Sequence, residues 1–275
     1  MTASPRTRLA YLLGILLAAS GCGVDKPTYP KSEVVKSLQQ ILAEDHLNGS
    51  VRFIDHTLAV QVAFPDALAK SNDEIGIGPG FDEVTRRVLT HLHRVLLSSD
   101  ARIDFYVLLL SDPNVPGAYL TMVRYVDDVK RANANMLNSM EMFERTIFEL
   151  NFVGDQSLTL EQYVPRDIML EEFLSWQLAR RIQSRLTEEL GKGAAVGRCA
   201  GRFQDGEFAF TLDVTPTADQ TLDEGAIRKL FETSTNEIAK VLSSYRFEAF
   251  ETIRLIHPMT GRNFVLPKTR LHVFQ

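Results

Sequence analysis

The chain contains two cysteines, and their thiols are the side chains whose chemistry depends most on their neighbours. Cys22 follows the small residues 18–21 at the end of an apolar segment. This pattern makes Cys22 a candidate site of modification. Cys199 lies in a predicted strand, where we expect a small buried side chain; a reactive or intermolecular thiol is the alternative.

The residues before Cys22 predict a secretion signal over residues 1–21. Arg6 and Arg8 are its only charges, and they form a positive amino-terminal region. Residues 9–19 are apolar, but at 1.5 Å per residue they form a helix of only about 16 Å, roughly half of a bilayer core. This length is too short to cross a membrane, which favours a cleaved signal over a permanent transmembrane helix.

The residues Ala19, Ser20, Gly21 and Cys22 resemble the lipobox of bacterial lipoproteins, in which small residues precede a lipidated cysteine. Ala19 departs from the most usual pattern, which has leucine there. The resemblance implies cleavage after Gly21 and acyl chains on Cys22, whereas an ordinary signal peptide cleaved at the same place is the alternative. In Gram-negative lipoproteins an aspartate after the cysteine favours retention at the inner membrane. Gly23 in that position implies an outer-membrane protein that faces the periplasm.

The composition is that of a globular chain with an acidic balance. The 275 residues have a net charge of −5, and removal of a signal with two arginines and no acidic residue leaves −7. An acidic balance without a basic stripe disfavours nucleic acid as a partner. If lipid occupies Cys22, Cys199 has no disulfide partner within the chain. Residues 22–31, which contain two prolines, are expected to form a short tether between the lipid and the fold.

Residues 32–126 are predicted to form a first α+β domain, and residues 167–275 a second. The first domain's predicted elements are a helix (32–46), two strands (51–54 and 58–64), a helix (81–98) and two strands (103–110 and 118–126). Those of the second are a helix (167–190), two strands (195–203 and 207–214), a helix (223–243) and two strands (247–256 and 263–274). Ser32 and Asp167 are the expected caps of the leading helices, and Asp205 with Gly206 predicts a tight hairpin turn.

The matching order of elements indicates an internal duplication. The interval from Ser98 to Pro113 equals the interval from Ser243 to Pro258. Each unit would form a four-stranded, mainly antiparallel sheet with both helices on one face, an α+β two-layer sandwich. The order of the first five elements resembles that of BON domains, small modules of bacterial envelope proteins. The extra last strand departs from that order, and the resemblance carries neither a site residue nor a function.

Residues 127–166 are predicted to connect the two domains through a helix over residues 129–142 and an extended segment over residues 146–153. Met136, Met140 and Met142 form a stripe on this helix. Such a stripe indicates core packing, with an adaptable partner surface as the alternative.

A glycine-rich loop over residues 76–80 precedes the second predicted helix. Backbone N–H groups at a helix start can bind phosphate. Pro79, however, removes one donor, and Asp82 and Glu83 place negative charge where the phosphate would lie. We therefore expect a flexible loop without a bound anion.

No spacing in the sequence predicts a catalytic or metal-binding site. His91 and His93 are two residues apart on a predicted helix and therefore point to different faces. Trp176, the only tryptophan, is expected to seal its helix onto a sheet, or to anchor a partner. Neighbouring acids and the arginines near them are expected to form solvated faces and exposed ion pairs; they are Asp127, Asp128, Glu171, Glu172, Glu188, Glu189, Arg180, Arg181 and Arg185. We expect no catalytic residue, cofactor or metal.

These patterns favour a membrane-tethered envelope lipoprotein that acts as a non-enzymatic scaffold, adaptor or assembly factor with an envelope protein as its partner. The alternative is a ligand-binding or hydrolytic lipoprotein with a cleft between the two domains. A third possibility is a subunit of a homo-oligomer in which open sheet edges pair.

The lipobox resemblance generates a direct test. The substitution Cys22→Ala should abolish incorporation of a labelled fatty acid and leave an uncleaved precursor, because the acylated sulfur is the substrate of the peptidase. Gel mobility and metabolic acyl labelling measure both effects. Cys199→Ala is the matched control and should keep both properties, and unchanged labelling of Cys22→Ala would exclude the lipoprotein assignment.

Overall fold

The computed structural model describes residues 28–71, 74–154, 158–191, 194–217 and 223–271. The predicted signal, Cys22 and the first part of the predicted tether lie outside these residues. Within them, the protein has the predicted α+β architecture, and most of its strand pairs are antiparallel. None of the described helices combines the length and the hydropathy that crossing a membrane requires.

The described elements are numbered here in chain order. The α-helices are α1 (Val34–Glu44), α2 (Phe81–Leu97), α3 (Val126–Asn133), α4 (Ser139–Arg145), α5 (Leu160–Tyr163), α6 (Leu170–Leu190) and α7 (Glu224–Tyr245). The strands are β1 (Asn48–Ile54), β2 (Thr57–Ala63), β3 (Leu68–Ser71), β4 (Glu74–Ile77), β5 (Phe105–Ser111), β6 (Ala118–Tyr125), β7 (Ile147–Phe152), β8 (Ala194–Val196), β9 (Ala200–Gln204), β10 (Glu207–Thr211), β11 (Val214–Pro216), β12 (Thr252–His257) and β13 (Arg262–Pro267). Short 3-10 turns cover Lys31–Glu33, Pro258–Thr260 and Lys268–Arg270.

The first sheet has the strand order β1-β2-β5-β6-β7. Its neighbours are antiparallel except for the parallel pair β2–β5. Helices α1 and α2 cover one face, where Val34, Leu38 and Leu42 of α1 are buried at helical spacing. Strand β5 is an almost continuous apolar run, which is typical of a strand that is buried on both faces.

The second sheet has the strand order β13-β12-β10-β9, with the parallel pair β10–β12 in its centre. This is the order and direction of β6-β5-β2-β1, so the two halves share a topology, as the proposed duplication requires. Asp205 and Gly206, with φ angles of +50° and +77°, form the expected hairpin turn between β9 and β10. Helices α6 and α7 pack on one face of this sheet.

Helix α6 also contacts the face of the first sheet that lies opposite α1 and α2, here called the far face. Phe173 packs on Phe105 of the far face, with their ring centres 5.2 Å apart. The next residues of the same helix, Leu174 and Leu178, belong to the second core. The two sandwiches are therefore not separate: α6 lies in a helix layer that both sheets share.

A buried polar cluster, formed by Asp128, Arg145, Gln177 and Tyr245, ties the connecting segment to this helix layer. The Asp128 carboxylate accepts hydrogen bonds from the Arg145 guanidinium at 2.9 Å and the Tyr245 hydroxyl at 2.8 Å. The Gln177 amide donates to the Arg145 carbonyl at 2.7 Å and to the Tyr245 hydroxyl at 3.0 Å. Burial raises the pKa of Asp128 against the opposing effect of these partners. The expectation that Asp128 lies on a solvated face is wrong, whereas Asp127 is exposed.

Two predicted helix caps are also wrong. Ser32 lies in a 3-10 turn, and the N-cap of α1 is Glu33. Asp167 precedes α6, whose N-cap is Met169. The Asp167 carboxylate instead accepts a hydrogen bond from the Thr57 hydroxyl at 2.5 Å, so it attaches the connecting segment to the first sheet.

The secondary structure of the connecting segment and of the glycine loop differs from the predicted one, because local turns interrupt the helix and form a hairpin. The predicted helix over residues 129–142 is interrupted by Asn135, whose φ of +56° ends α3, and Asn138 caps α4. The glycine loop forms part of a β3–β4 hairpin instead of a flexible loop. The Gly80 amide donates to the Asp66 carbonyl at 2.7 Å, so this amide is not available to a phosphate.

The adjacent residues Asp127 and Asp128 provide a matched pair for testing the buried polar cluster. Asp128→Asn should lower the free energy of unfolding by about 3 kcal/mol, because it leaves the buried Arg145 charge without its counterion. Asp127→Asn should cost less than about 1 kcal/mol, the ordinary value of an exposed acid at a helix start. Urea denaturation followed by circular dichroism measures both. Equal effects would show that the cluster contributes little to stability.

Candidate functional site

A cleft of about 570 Å³ lies between the far face of the first sheet and helix α6. Phe173 closes one end of the contact between sheet and helix, and the cleft extends from there along α6. Trp176, Ala179, Arg180 and Gln183 line it at helical spacing, so one face of α6 forms one wall. Strand β9 and the residues just before it close the side towards the second sheet.

The floor of the cleft is apolar. Val107, Val123 and Ile147 are buried in the first sheet and point towards the cleft from three adjacent strands. Tyr163 stands at the edge of this floor, where its hydroxyl contacts the Thr121 hydroxyl. Burial raises the pKa of Tyr163, so the phenol stays neutral at physiological pH. An apolar floor with a few placed polar groups is the usual construction of a ligand site.

Two arginines and one glutamate lie at the end of the cleft next to strand β7, which is here called the β7 end. The Arg198 guanidinium donates to the Glu149 carboxylate at 2.9 Å, and the Arg180 guanidinium donates to the carbonyl of Phe148. Arg198 is 79% exposed and Glu149 is 42% exposed, so solvent weakens this pair. Among the described residues that line this end, two arginines therefore face one carboxylate.

The opposite end of the cleft is closed by a stronger ion pair. The Arg166 guanidinium donates to both carboxylate oxygens of Glu172, at 2.8 and 2.5 Å. Such bidentate pairs have a fixed geometry, which makes them poor partners for a third group. The β7 end is therefore the end that can exchange partners.

Two further polar groups of α6 have unused donors in the cleft. The Gln183 side-chain oxygen accepts a hydrogen bond from the Cys199 amide at 3.1 Å, so its NH₂ group remains for another acceptor. The indole N–H of Trp176 donates no hydrogen bond within the described part of the chain. Together with the arginines, these groups supply several hydrogen-bond donors to the cleft.

Cys199 borders the cleft, and the structure bears out the expectation of a small buried side chain. The residue is 5% exposed, and burial raises the pKa of its thiol to about 11. A thiol with this pKa is almost entirely protonated at neutral pH, which makes it a poor nucleophile.

Close packing holds β9 against α6 beside the cleft. A side chain at Gly201 would place its first carbon 2.3 Å from the carbonyl oxygen of Ser175 on α6. This close approach of backbone to backbone needs glycine.

The predicted ion pairs on α6 are distributed differently from the expectation. Arg181 pairs with Glu144 of α4 at 3.3 Å and with Glu237 of α7 at 2.6 Å. When the two units are aligned by the proposed duplication, Glu237 of the second unit corresponds to Leu92 of the first, which is buried. The ion pair between Glu237 and Arg181 explains why an acidic residue replaces the leucine. Arg185 does pair along its own helix, but with Glu188 and Glu189 rather than the earlier acids.

The predicted divergence of the two histidines is confirmed. His91 lies 3.0 Å from the Asp45 carboxylate, and His93 lies 3.0 Å from the Tyr106 hydroxyl. Among the residues that the structure describes, no group of histidine, cysteine and acidic side chains has a metal-binding arrangement.

Two of the three methionines of the predicted stripe are not core residues. Met136 and Met140 are 65% and 67% exposed, so the core-packing interpretation is wrong for both, whereas Met142 packs against the first core. Trp176 is partly buried beside the far face, which agrees with its expected sealing role but leaves one edge of the ring in the cleft.

A second cavity of about 790 Å³ lies between α6 and α7. Its charged side chains largely pair with one another, as Arg181 does with Glu237 and Arg185 with Glu189. The cleft on the far face is the better candidate site, because it combines an apolar floor with donors that have no partner.

Comparison of the chain with protein-family models and with curated proteins gave no match. The function is therefore argued from the cleft and from the sequence motif at Cys22.

The buried thiol beside the cleft has a measurable consequence. In the Cys22→Ala variant, where Cys199 is the only cysteine, alkylation by iodoacetamide at pH 8 should be at least about a hundredfold slower in the folded protein than in urea. The reason is that the thiolate fraction falls tenfold for each unit of pKa rise. Raising the pH towards 11 should speed the folded-state reaction, and rapid alkylation at pH 8 would contradict the burial of this thiol.

Proposed function

We propose that the protein is a membrane-tethered envelope lipoprotein that binds a ligand in the cleft between its two sheets. The observation that carries the binding role is the cleft itself, which combines an apolar floor with two arginines at its β7 end and with further donors from α6. The lipobox-like sequence that ends at Cys22 supports the tether and, with Gly23, an address at the outer membrane facing the periplasm.

The described end of the tether supports a short distance between the lipid and the first α+β unit. The Tyr29 amide donates to the Ser98 carbonyl at 3.2 Å, and the Lys31 amide donates to the Asp100 carboxylate at 2.6 Å. These bonds attach the tether to the loop after α2. Even a fully extended chain from Cys22 to Tyr29 spans at most about 25 Å. A lipid on Cys22 would therefore keep the loop after α2 within a short distance of the membrane.

We propose binding without catalysis. Cys199, the thiol at the cleft, is held protonated by burial. Two of the carboxylates that line the cleft are engaged in ion pairs: Glu149 with Arg198, and Glu172 with Arg166. Neither of these two carboxylates has a histidine beside it among the described residues that line the cleft. Asp167, which also lines the cleft, lies 3.4 Å from His56, but it already accepts a hydrogen bond from the Thr57 hydroxyl.

A scaffold or adaptor role is the second candidate, and an exposed apolar surface favours it. Met136, Met140 and Phe143 of the connecting segment are each more than 60% exposed, and Leu150 and Phe152 are exposed on the edge strand β7. Exposed apolar side chains beside an open sheet edge are typical of protein contact surfaces. An envelope protein or a second copy of this chain could pair there.

Native mass spectrometry of the full chain, extracted from membranes in mild detergent, tests the cleft. A small-molecule adduct should be present in the natural sequence and lost in Ala200→Trp, because the bulky ring of this exposed cleft residue obstructs the entrance. Ala195→Trp is the matched control, an exposed alanine of β8 outside the cleft.

The same spectra separate the candidate functions. An adduct that both variants keep would place the ligand elsewhere. A complex with another protein, or a homo-oligomer, without any small-molecule adduct would favour the adaptor role over the cleft.

A further inference from the structure

We infer that the ligand of the cleft is an amphipathic anion: a carboxylate or a similar acid on an apolar body. This inference rests on the proposed function, since it names the chemical class of the ligand for the same cleft. It follows from the distribution of charge and free donors on one side and of apolar surface on the other.

The acidic group of the ligand is expected to bind at the β7 end of the cleft. Arg180 and Arg198 approach this end from α6 and from the segment before β9, and Glu149 is the carboxylate that the described lining places beside them. Arg180 donates to a neutral carbonyl, so its charge has no carboxylate within ion-pair distance in the described chain. An incoming acid can occupy this position and share Arg198 with Glu149 through charge-assisted hydrogen bonds.

The hydrogen-bond donors of α6 that have no partner within the described chain also favour an anionic ligand. The indole N–H of Trp176 and the NH₂ group of Gln183 need acceptors, and an acid or ester oxygen supplies them. A cationic ligand offers only donors, so it would leave these groups unpaired and would repel both arginines. The polar surface therefore discriminates by charge as well as by shape.

The apolar part of the ligand is expected to pack on the floor of the cleft. Val107, Val123 and Ile147 form a continuous apolar surface across three strands, and the ring of Trp176 faces it from α6. The cleft volume of about 570 Å³ lies within the range of sites that enclose ligands of some hundreds of daltons. A medium-length alkyl or aromatic body fits such a space, and its burial against the floor favours binding.

The single tryptophan of the chain lies in the cleft, so its fluorescence reports occupancy directly. The full chain, reconstituted in phosphatidylcholine vesicles, is titrated with octanoate, octanol and octylammonium, three probes with the same alkyl body and different charge. Octanoate should shift the emission of Trp176 with saturation, and octylammonium should bind at least about tenfold more weakly.

The arginines supply the matched variants. Arg198→Gln changes an exposed side chain and should weaken octanoate about tenfold while leaving octanol unchanged. Arg180→Gln should do the same. Arg185→Gln, which lies on α6 outside the cleft, should leave all three titrations as they are.

The possible results distinguish a failure of the anion inference from a failure of the proposed ligand-binding function. If octanol or octylammonium saturates as tightly as octanoate, or if Arg198→Gln does not alter octanoate binding, the anion inference is wrong, although a ligand does occupy the cleft. If no probe changes the emission of Trp176, the inference is also wrong. An adduct that is lost in Ala200→Trp would then still support the proposed function with another class of ligand.

Discussion

The buried ion pair between Asp128 and Arg145 is the constraint that holds the two halves of this protein together. Its carboxylate and guanidinium lie in the connecting segment, and its hydrogen-bond partners Tyr245 and Gln177 lie on α7 and α6. Two charges removed from water are stabilised only when their geometry is complete. The cluster therefore specifies one position of the shared helix layer over the first sheet rather than simply adding stability.

The cleft results from the position of the shared helix layer over the first sheet. Helix α6 touches the far face closely at Phe173 and belongs to the second core through Leu174 and Leu178. Beside the contact at Phe173, a space remains between α6 and the first sheet. Its floor is formed by Val107, Val123 and Ile147, and its arginines come from α6 and from the segment before β9, which this packing brings near β7.

Local patterns predicted much of the architecture. Helical spacing and strict alternation identified both units and their shared order, since these periodicities follow from the geometry of single elements. The β3–β4 hairpin and the break at Asn135 were not predicted, because they depend on local turns that helical and strand periodicities do not reveal. The role of Asp167 was not predicted, because it depends on Thr57, a neighbour distant in sequence. The candidate site was anticipated only as a cleft between domains.

The sequence by itself determined the α+β class, the repeated order of elements and the lipobox-like motif at Cys22, because each depends on residues close together in the chain. Only the tertiary structure decided that Asp128 is buried whereas Asp127 is exposed, since neighbours on a helix point in different directions. It also decided which side chains form the site. Glu149, Arg180 and Arg198 meet because two sheets share one helix layer, and no local spacing encodes that meeting.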